Sequence, residues 1–232
     1  MKIIGLSGKK QSGKDTVCNY VKNSLIYGRK NISYKNKKMT YSDRSNVSKI
    51  YHFNNVINYS FADKLKELCI NFLGLKREQC YGTNEEKDSK TKYKWENFPE
   101  EIRKKYGYPS GYLSGRNVMQ VFGTDICRNM FYRDIWIDQT IKKIDEEKSK
   151  IAFISDIRFE SEVVGLKEHY KDDVVFIRLL RNSCVDIHES ETGLDDFDFS
   201  KFNSLIIGKD VTIDEQNDIV CDFLNKNGIM IL

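Results

Sequence analysis

The sequence is poor in the residues and patterns that mark metal-binding, secreted and membrane proteins. It has only two prolines and three histidines, and its six cysteines never form a C-x-x-C pair. Scattered histidines and cysteines argue against a zinc site, and isolated thiols are typical of a reducing compartment, so we expect a cytoplasmic, intracellular protein. No apolar run approaches the roughly 18 residues of a membrane span. The first apolar stretch, Ile3–Leu6, is too short for a secretory signal peptide.

Composition and charge indicate a globular protein with a sizeable core. Hydrophobic residues make up 40% and charged residues 31% of the 232 positions, which excludes an intrinsically disordered chain. The net charge of +4 is too small to indicate a nucleic-acid partner, and we do not expect one. Gly28–Lys49 is rich in lysine and arginine. We interpret it as a solvated loop, and a surface that attracts phosphates is the alternative.

A glycine-rich loop near the start of the chain carries the clearest motif. The stretch MKIIGLSGKKQSGKDTV contains Gly8–Thr16, which nearly matches the phosphate-binding pattern G-x-x-x-x-G-K-[ST]. Backbone N–H groups, the start of the following helix and Lys14 would bind the phosphates of a nucleotide. Asp15 departs from the pattern, because a serine or threonine normally offers a hydroxyl to Mg²⁺ there. This carboxylate either belongs to a magnesium site or caps the helix.

Short apolar runs alternate with amphipathic stretches along the chain, which predicts an α/β fold with a central parallel sheet and helices on both faces. We predict a helical insert on the surface over 76–111. Thr212 and Glu215 form a capping box before the last helix. That helix should bury Ile219, Val220, Phe223 and Leu224. The strands are predicted at 2–7, 56–61, 151–156, 174–180 and 203–207.

Charged residues follow several of these strands. They would lie at the carboxyl ends of the strands, where parallel sheets bind their ligands. Asp156 ends the run IAFISD and can hold Mg²⁺ as a Walker B acid or cap the next helix. The planar guanidinium group of Arg158 can bind a second phosphate group through two hydrogen bonds, or it can form an ion pair with Glu162 on the same helix. Arg181 can stabilise a phosphoryl group in transfer, or be only a charge at a strand end.

Six segments occur in a recognisable order: SGKKQSGKDT, SFADKLKELCINFLG, GRNVMQVFGTDICR, IWI, ISDIRFESE and HESE. In this order they resemble the bacteriophage-type deoxynucleoside monophosphate kinases. The resemblance implies the P-loop NTPase fold, a three-layer α/β/α arrangement with a helical substrate-binding insert and a mobile lid. It also implies viral nucleotide metabolism, in which the γ-phosphoryl group of ATP is transferred to a deoxynucleoside monophosphate with Mg²⁺. The segment DIRFESE departs from the D-[IV]-R-F-P-N-E form of the family.

The resemblance implies roles for individual residues as well. Asp15 and Asp156 would hold the metal, and Lys14, Arg158 and Arg181 are the candidate catalytic residues. Trp136 would stack on the base or fill the core, and core packing is the favoured alternative. The ATP-binding residues would be Gly8, Gln11, Ser12, Gly13, Lys14, Asp15 and Thr16. The residues near the acceptor would be Lys66, Arg116, Gln120, Arg128, Trp136, Arg158 and Glu162.

The expected organisation is a single kinase domain over 1–232, and a homodimer is compatible with it. Two other functions stay open at this point. One is another small-molecule P-loop kinase similar to the phosphomevalonate kinases, and the other is a protein that uses ATP as a switch on nucleic acid. The core of the domain would comprise 1–27, 56–75 and 112–232, with substrate-side inserts at 28–55 and 76–111 and a lid-like segment at 182–200.

Overall fold

The computed structural model describes residues 1–9, 12–27, 32–35, 38–41, 56–181 and 192–229. The predictions for Gln11, for most of the basic segment and for residues 182–191 of the lid-like segment lie outside these residues. The chain divides into two compact units, one formed by Met1–Ser60 and Ile141–Leu232 and the other by Phe61–Thr140. The single kinase domain with inserts at the bounds given above stays a prediction.

Strands and helices alternate over much of the described chain. The strands are β1 (Lys2–Gly8), β2 (Ile32–Lys35), β3 (Lys38–Tyr41), β4 (Val56–Tyr59), β5 (Lys90–Lys94), β6 (Tyr112–Ser114), β7 (Ile151–Ile157), β8 (Val174–Leu179) and β9 (Ser204–Ile207). The helices are α1 (Lys14–Tyr27), α2 (Ala62–Asn71), α3 (Arg77–Tyr81), α4 (Asn84–Lys87), α5 (Glu100–Lys105), α6 (Gly115–Gln120), a π-helix (Val121–Phe131), α7 (Ile135–Glu147), α8 (Glu160–Tyr170) and α9 (Ile213–Lys226). Single 3₁₀ turns lie at Trp95–Asn97, Lys171–Asp173 and Phe199–Lys201.

The first unit is built on a five-stranded parallel sheet flanked by helices, which confirms the predicted fold class. Its strand order is β4-β7-β1-β8-β9, and each neighbouring pair is parallel. Strands β7 and β8 are almost wholly buried and apolar, as expected where helices cover both faces of a sheet. Since β1 pairs with both of them, the loop after β1 leaves from the middle of the sheet.

One large core cluster joins α1 and α9 to the strands of this sheet. The helical spacing of the residues after the loop predicts one inner face of α1, and the structure confirms it. The residues of this face, all of them buried, are Val17, Tyr20, Val21, Ser24 and Leu25. In α9 the prediction is right for Val220 and Leu224, which are fully buried. It is wrong for Ile219, which is 40% exposed, and Phe223 is only half buried.

The second unit has its own core, formed around Cys69, Cys80, Trp95 and Leu113. The interpretation of 76–111 as a purely helical surface insert is therefore corrected. Its strand β5 pairs with β6 as an antiparallel ribbon, and Trp95 is only 5% exposed. Local charge density suggested a solvated surface, but the buried aromatic and aliphatic residues interleaved with the lysines give this segment an interior side.

The apolar spacing over 114–126 predicts one helix with Val118, Val121, Phe122 and Ile126 inward. In the structure this helix changes its geometry along its length. Four turns of regular α-helix would have placed Phe122 and Ile126 inward, but α6 gives way to a π-helix at Val121. The wider turn shifts the side chains around the axis, and these two residues are only partly buried at the edge of the core. A Cβ at Gly123 would collide with Leu65 of α2, so glycine permits the close packing of the π-helix on α2.

Three general properties complete the description. Among the described cysteines, residues 18, 69, 80, 127 and 221 are free thiols. Within the same described residues, no helix is long and apolar enough to cross a membrane, and no three His, Cys, Asp or Glu side chains are placed to hold a metal ion.

The capping box at the start of α9 is confirmed and gives a direct test of local stability. Thr212 Oγ1 accepts the N–H of Glu215 at 3.2 Å, and Glu215 Oε2 accepts the N–H of Thr212 at 2.9 Å. Thr212→Ala should lower the free energy of unfolding by about 1 kcal/mol, as measured by urea denaturation. Thr212→Ser keeps the hydroxyl and should be nearly neutral. Equal losses in both variants would contradict the capping role.

Candidate functional site

The glycine-rich loop leaves β1 at a point where the chain has no room for a side chain. A Cβ at Gly8 would collide with Oγ of Ser12 and would lie 3.0 Å from the carbonyl oxygen of Leu179 in β8. Gly13 has a φ of +96°, in the left-handed region that glycine adopts without strain. The loop closes through Ser12 N–H, which donates to Lys9 O at 3.1 Å. Both glycines are therefore required by the backbone path.

Lys14 begins α1 and its ammonium lies over this loop. Its Nζ donates to the carbonyl oxygens of Gly8 at 2.5 Å and of Lys9 at 2.8 Å. Ser12 is fully buried, and its Oγ makes no hydrogen bond within the described part of the chain. The loop thus combines a fixed cation, a helix start and a buried hydroxyl, a set that suits phosphate oxygens.

Asp15 and Thr16 occupy the first turn of α1 just after Lys14. Asp15 is exposed and Thr16 is half-buried. Burial, together with the negative charge of Asp15, raises the pKa of the Cys18 thiol to about 11. Gly13 O accepts the first bond of α1, from Val17 N–H at 3.1 Å, so Asp15 is the second residue of the helix and not its N-cap. Its exposed carboxylate can act on the helix start through its charge, or it can belong to a metal site.

Asp156 lies next to Ser60 at the carboxyl ends of the neighbouring strands β7 and β4. Ser60 Oγ donates to Asp156 Oδ2 at 2.6 Å. The alternative that Asp156 caps α8 is wrong, because the N-cap residue of that helix is Phe159. The hydroxyl of Ser60 orients the Asp156 carboxylate, which the sequence alone did not indicate.

Glu162 provides the cap of α8. The side chain is only 4% exposed, and its Oε2 accepts the backbone N–H groups of Arg158 at 2.7 Å and of Phe159 at 3.1 Å. Glu162 thereby holds the main chain from which the half-buried Arg158 side chain leaves. The substrate-binding role predicted for Glu162 has no support in this geometry and stays a prediction.

Two arginines lie near the carboxyl end of β8: Arg178 is in the strand and Arg181 follows it. Arg181, the predicted mobile arginine, donates through Nη2 to the carbonyl oxygen of Val211. Sequence reasoning missed Arg178, which is only 8% exposed and donates to Ser7 Oγ at 2.7 Å. Burial lowers the pKa of the Arg178 guanidinium, and the charge of Asp195 opposes this. The available signal was an arginine inside the otherwise apolar strand VVFIRL.

Five of the candidate acceptor residues lie in the unit Phe61–Thr140, whereas Arg158 and Glu162 belong to the other unit. Lys66 lies over the ring of Tyr81, with Nζ 4.8 Å from the ring centroid. Arg116 pairs with Asp88 at 2.7 Å and also donates to Asn84. Gln120 is half-buried, and Arg128 is 8% exposed.

Trp136 and Asp125 fill interior positions of this second unit. Trp136 is 8% exposed and donates its indole N–H to Gly123 O at 3.0 Å, which favours the core-packing alternative over stacking. Asp125, which sequence reasoning missed, is 4% exposed and accepts from Lys105 at 2.6 Å and from Tyr106 at 2.9 Å. It ties the insert to the π-helix that carries Arg128.

Comparison with known proteins decides the family. The sequence profile described as deoxynucleotide monophosphate kinase matches residues 55–219, more than half of the chain. The chain belongs to the deoxynucleotide monophosphate kinase family. No curated protein matches it. Because the matched range begins after the glycine-rich loop, the family assignment and the loop motif are independent observations.

The residues of this kinase fit ATP and Mg²⁺. The loop turns tightly because Gly8 and Gly13 have no side chains, and Lys14 supplies a positive charge at the start of α1. Mg²⁺ commonly keeps several waters and takes only one or two carboxylates together with phosphate oxygens. Asp156, oriented by Ser60, and the exposed Asp15 match that modest requirement.

The hydrogen bonds of Glu162 generate a prediction that separates a capping role from substrate binding. Glu162→Gln replaces a charged acceptor of two backbone N–H groups by a neutral one. The free energy of unfolding should fall by about 1–2 kcal/mol, measured by urea denaturation. Glu160→Gln, an exposed acid on the same turn, is the matched control and should cost less than about 0.5 kcal/mol. Unchanged stability with a raised acceptor KM would instead favour substrate contact by Glu162.

Proposed function

We propose that this kinase transfers the γ-phosphoryl group of ATP to a deoxynucleoside 5′-monophosphate, giving ADP and the deoxynucleoside diphosphate. The observation that carries the proposal is the family match over residues 55–219. The glycine-rich loop, which lies outside that range, supports the use of a nucleoside triphosphate as the donor.

The donor phosphates are assigned to Gly8–Thr16. Backbone N–H groups of the loop and the start of α1 face the phosphate oxygens, and Lys14 exchanges its bonds to the Gly8 and Lys9 carbonyls for bonds to the phosphate chain. Asp15 and Asp156 would hold Mg²⁺ with its waters. When bound, the metal neutralises charge on the phosphate oxygens.

The transfer step needs positive charge around the moving phosphoryl group. An oxygen of the acceptor phosphate attacks the γ-phosphorus of ATP, the bond to the bridging oxygen breaks, and that oxygen leaves with ADP. Lys14, Arg158 and Arg181 are the residues proposed to stabilise this charge. Glu162 supports the role of Arg158, because it holds the Arg158 backbone N–H at 2.7 Å and so limits where the planar guanidinium can reach.

The acceptor is assigned to the unit Phe61–Thr140. Gln120 can both donate and accept hydrogen bonds, so it is the proposed reader of the base edge. Lys66, Arg116 and Arg128 are the proposed cations near the acceptor. Arg116 is paired with Asp88, so binding a phosphate group would require it to weaken that pair.

A panel of acceptors tests the proposed reaction. The protein is incubated with ATP, Mg²⁺ and each deoxy- or ribonucleoside monophosphate in turn, with phosphomevalonate alongside, and ADP formation is followed. We expect ADP formation only with one or more deoxynucleoside monophosphates. Activity on phosphomevalonate alone would favour the other small-molecule kinase. Strongly salt-dependent DNA binding without phosphorylation of any acceptor would favour the nucleic-acid switch.

Removing the charge of Lys14 should abolish most of the activity and leave the fold intact. Lys14→Ala removes about 3–4 kcal/mol of transition-state stabilisation, which means a loss in kcat of roughly a hundred- to a thousandfold. Lys22→Ala, about two turns further along α1, is the matched control and should keep its activity. A Lys14→Ala protein with more than about half of the wild-type rate would exclude the loop as the catalytic site.

Asp15→Asn distinguishes a metal-related role from stabilisation of the helix start. Asparagine keeps the shape of the side chain but lacks the charge that favours Asp15 at the helix start, so a purely helix-stabilising role predicts normal activity and a loss of about 0.3–1 kcal/mol in the free energy of unfolding. A role in ordering the metal's water shell predicts a roughly tenfold rise in the Mg²⁺ concentration for half-maximal rate, and this is the result we expect. The measurement is a Mg²⁺ titration at saturating ATP. Asp214→Asn, an exposed acid in the first turn of α9, is the control, and superimposable curves for wild type and Asp15→Asn would rule out the metal role.

A further inference from the structure

A chain of buried polar contacts joins the ends of three central strands to the first lysine of the glycine-rich loop. Ser7 Oγ, at the end of β1, donates to Ile157 O of β7 at 3.1 Å. Arg178 of β8 donates to the same hydroxyl oxygen at 2.7 Å. Burying a guanidinium group costs free energy unless its N–H groups find partners. The partners of the second terminal nitrogen, Nη2, therefore matter for the stability of this arrangement.

The other nitrogen of Arg178 holds the turn around Asp195. Its Nη2 lies 3.3 Å from Asp195 Oδ1 and 3.4 Å from the carbonyl oxygen of Leu194. Leu194 is itself only 3% exposed, so the turn is seated in the interior on one side. The carboxylate of Asp195 therefore occupies a fixed place, with its negative charge stabilised from the protein side.

The second oxygen of the Asp195 carboxylate, Oδ2, contacts the glycine-rich loop. Asp195 Oδ2 accepts from Lys9 Nζ at 2.8 Å, and the two side chains are 35% and 32% exposed. Lys9 lies in the glycine-rich loop beside the residues assigned to the phosphate chain, and it is already paired with an acid. A phosphate chain at the loop would bring its negative charges beside a carboxylate of the same sign.

We propose that the Asp195 carboxylate competes with the phosphate chain of the nucleotide for the ammonium group of Lys9. This competition limits the affinity of the loop for nucleoside triphosphates. The inference rests on the proposed assignment of the loop to the donor. Arg178 keeps the acid in place, so Lys9 must weaken its bond to Asp195 whenever it donates to a phosphate oxygen.

Calorimetric titration of the protein with ATP, without acceptor, tests the proposal. Asp195→Asn keeps the shape of the side chain and removes its charge. The Kd for ATP should fall about two- to fivefold, the range expected for an ion pair whose partners are both about one-third exposed. Inorganic tripolyphosphate should show the same direction of change, because the competition concerns the phosphate chain. The difference from wild type should shrink as the salt concentration rises.

Three further variants make the result specific. Asp196→Asn removes the same charge at the neighbouring exposed position and should change the Kd much less. Asp195→Glu keeps the charge and should bind ATP nearly as the wild type does. In a protein that already carries Lys9→Met, the ammonium group for which Asp195 competes is absent. Adding Asp195→Asn to that protein should therefore change the Kd no more than Asp196→Asn does in the wild type. Melting temperatures of all variants show whether each is folded.

The outcomes separate this proposal from the proposed function. An unchanged or raised Kd in Asp195→Asn would overturn it, and so would an equal decrease in Asp196→Asn or an undiminished effect in the absence of Lys9. In each case the wild type would still bind ATP, and the donor site would stand. If the wild-type protein bound neither ATP nor tripolyphosphate, the donor assignment and this inference would both fall.

Discussion

The phosphate loop depends on the absence of a side chain at Gly8. At this position β1 ends between two neighbouring strands, and a Cβ would collide with Ser12 and press on the Leu179 carbonyl group. Because the turn can close this tightly, Lys14 reaches the Gly8 and Lys9 carbonyl oxygens, and α1 starts directly at the loop. Any larger residue at Gly8 would push the loop away from β8 and separate the lysine from the helix start.

The same region shows why buried charges in a kinase core need explicit partners. Arg178 and Asp156 lie near the ends of β8 and β7, and each is hydrogen-bonded to a serine of a neighbouring segment. Glu162, in the first turn of α8, accepts from the backbone N–H groups of Arg158 and Phe159. A buried polar group without a partner costs more free energy than the bond itself returns. The bonds of Glu162 fix the backbone from which Arg158 leaves, and the bonds of Arg178 to Ser7 and Asp195 connect the sheet to Lys9 of the loop.

Prediction from the sequence worked best where the relevant interactions are local. The strand–loop–helix order around Gly8–Thr16, the capping box at Thr212 and the inner face of α1 all follow from residues within a few positions of each other. It worked less well for residues 76–111, whose lysines suggested a surface and whose Trp95 forms a core. The change from α6 to a π-helix was also not predictable, because it accompanies close packing of Gly123 on Leu65, which no periodicity encodes.

By itself the sequence determined the class of fold, the position of the phosphate loop and the family resemblance, since apolar periodicity, glycine placement and short motifs are properties of neighbouring residues. The tertiary structure alone decided which charges meet. Lys9 and Asp195 are 186 positions apart, and Ser60 and Asp156 are 96 apart. Such pairs form only once the strand order β4-β7-β1-β8-β9 has brought distant segments to one edge of the sheet, and that order results from the packing of the whole unit and from no single stretch of the chain.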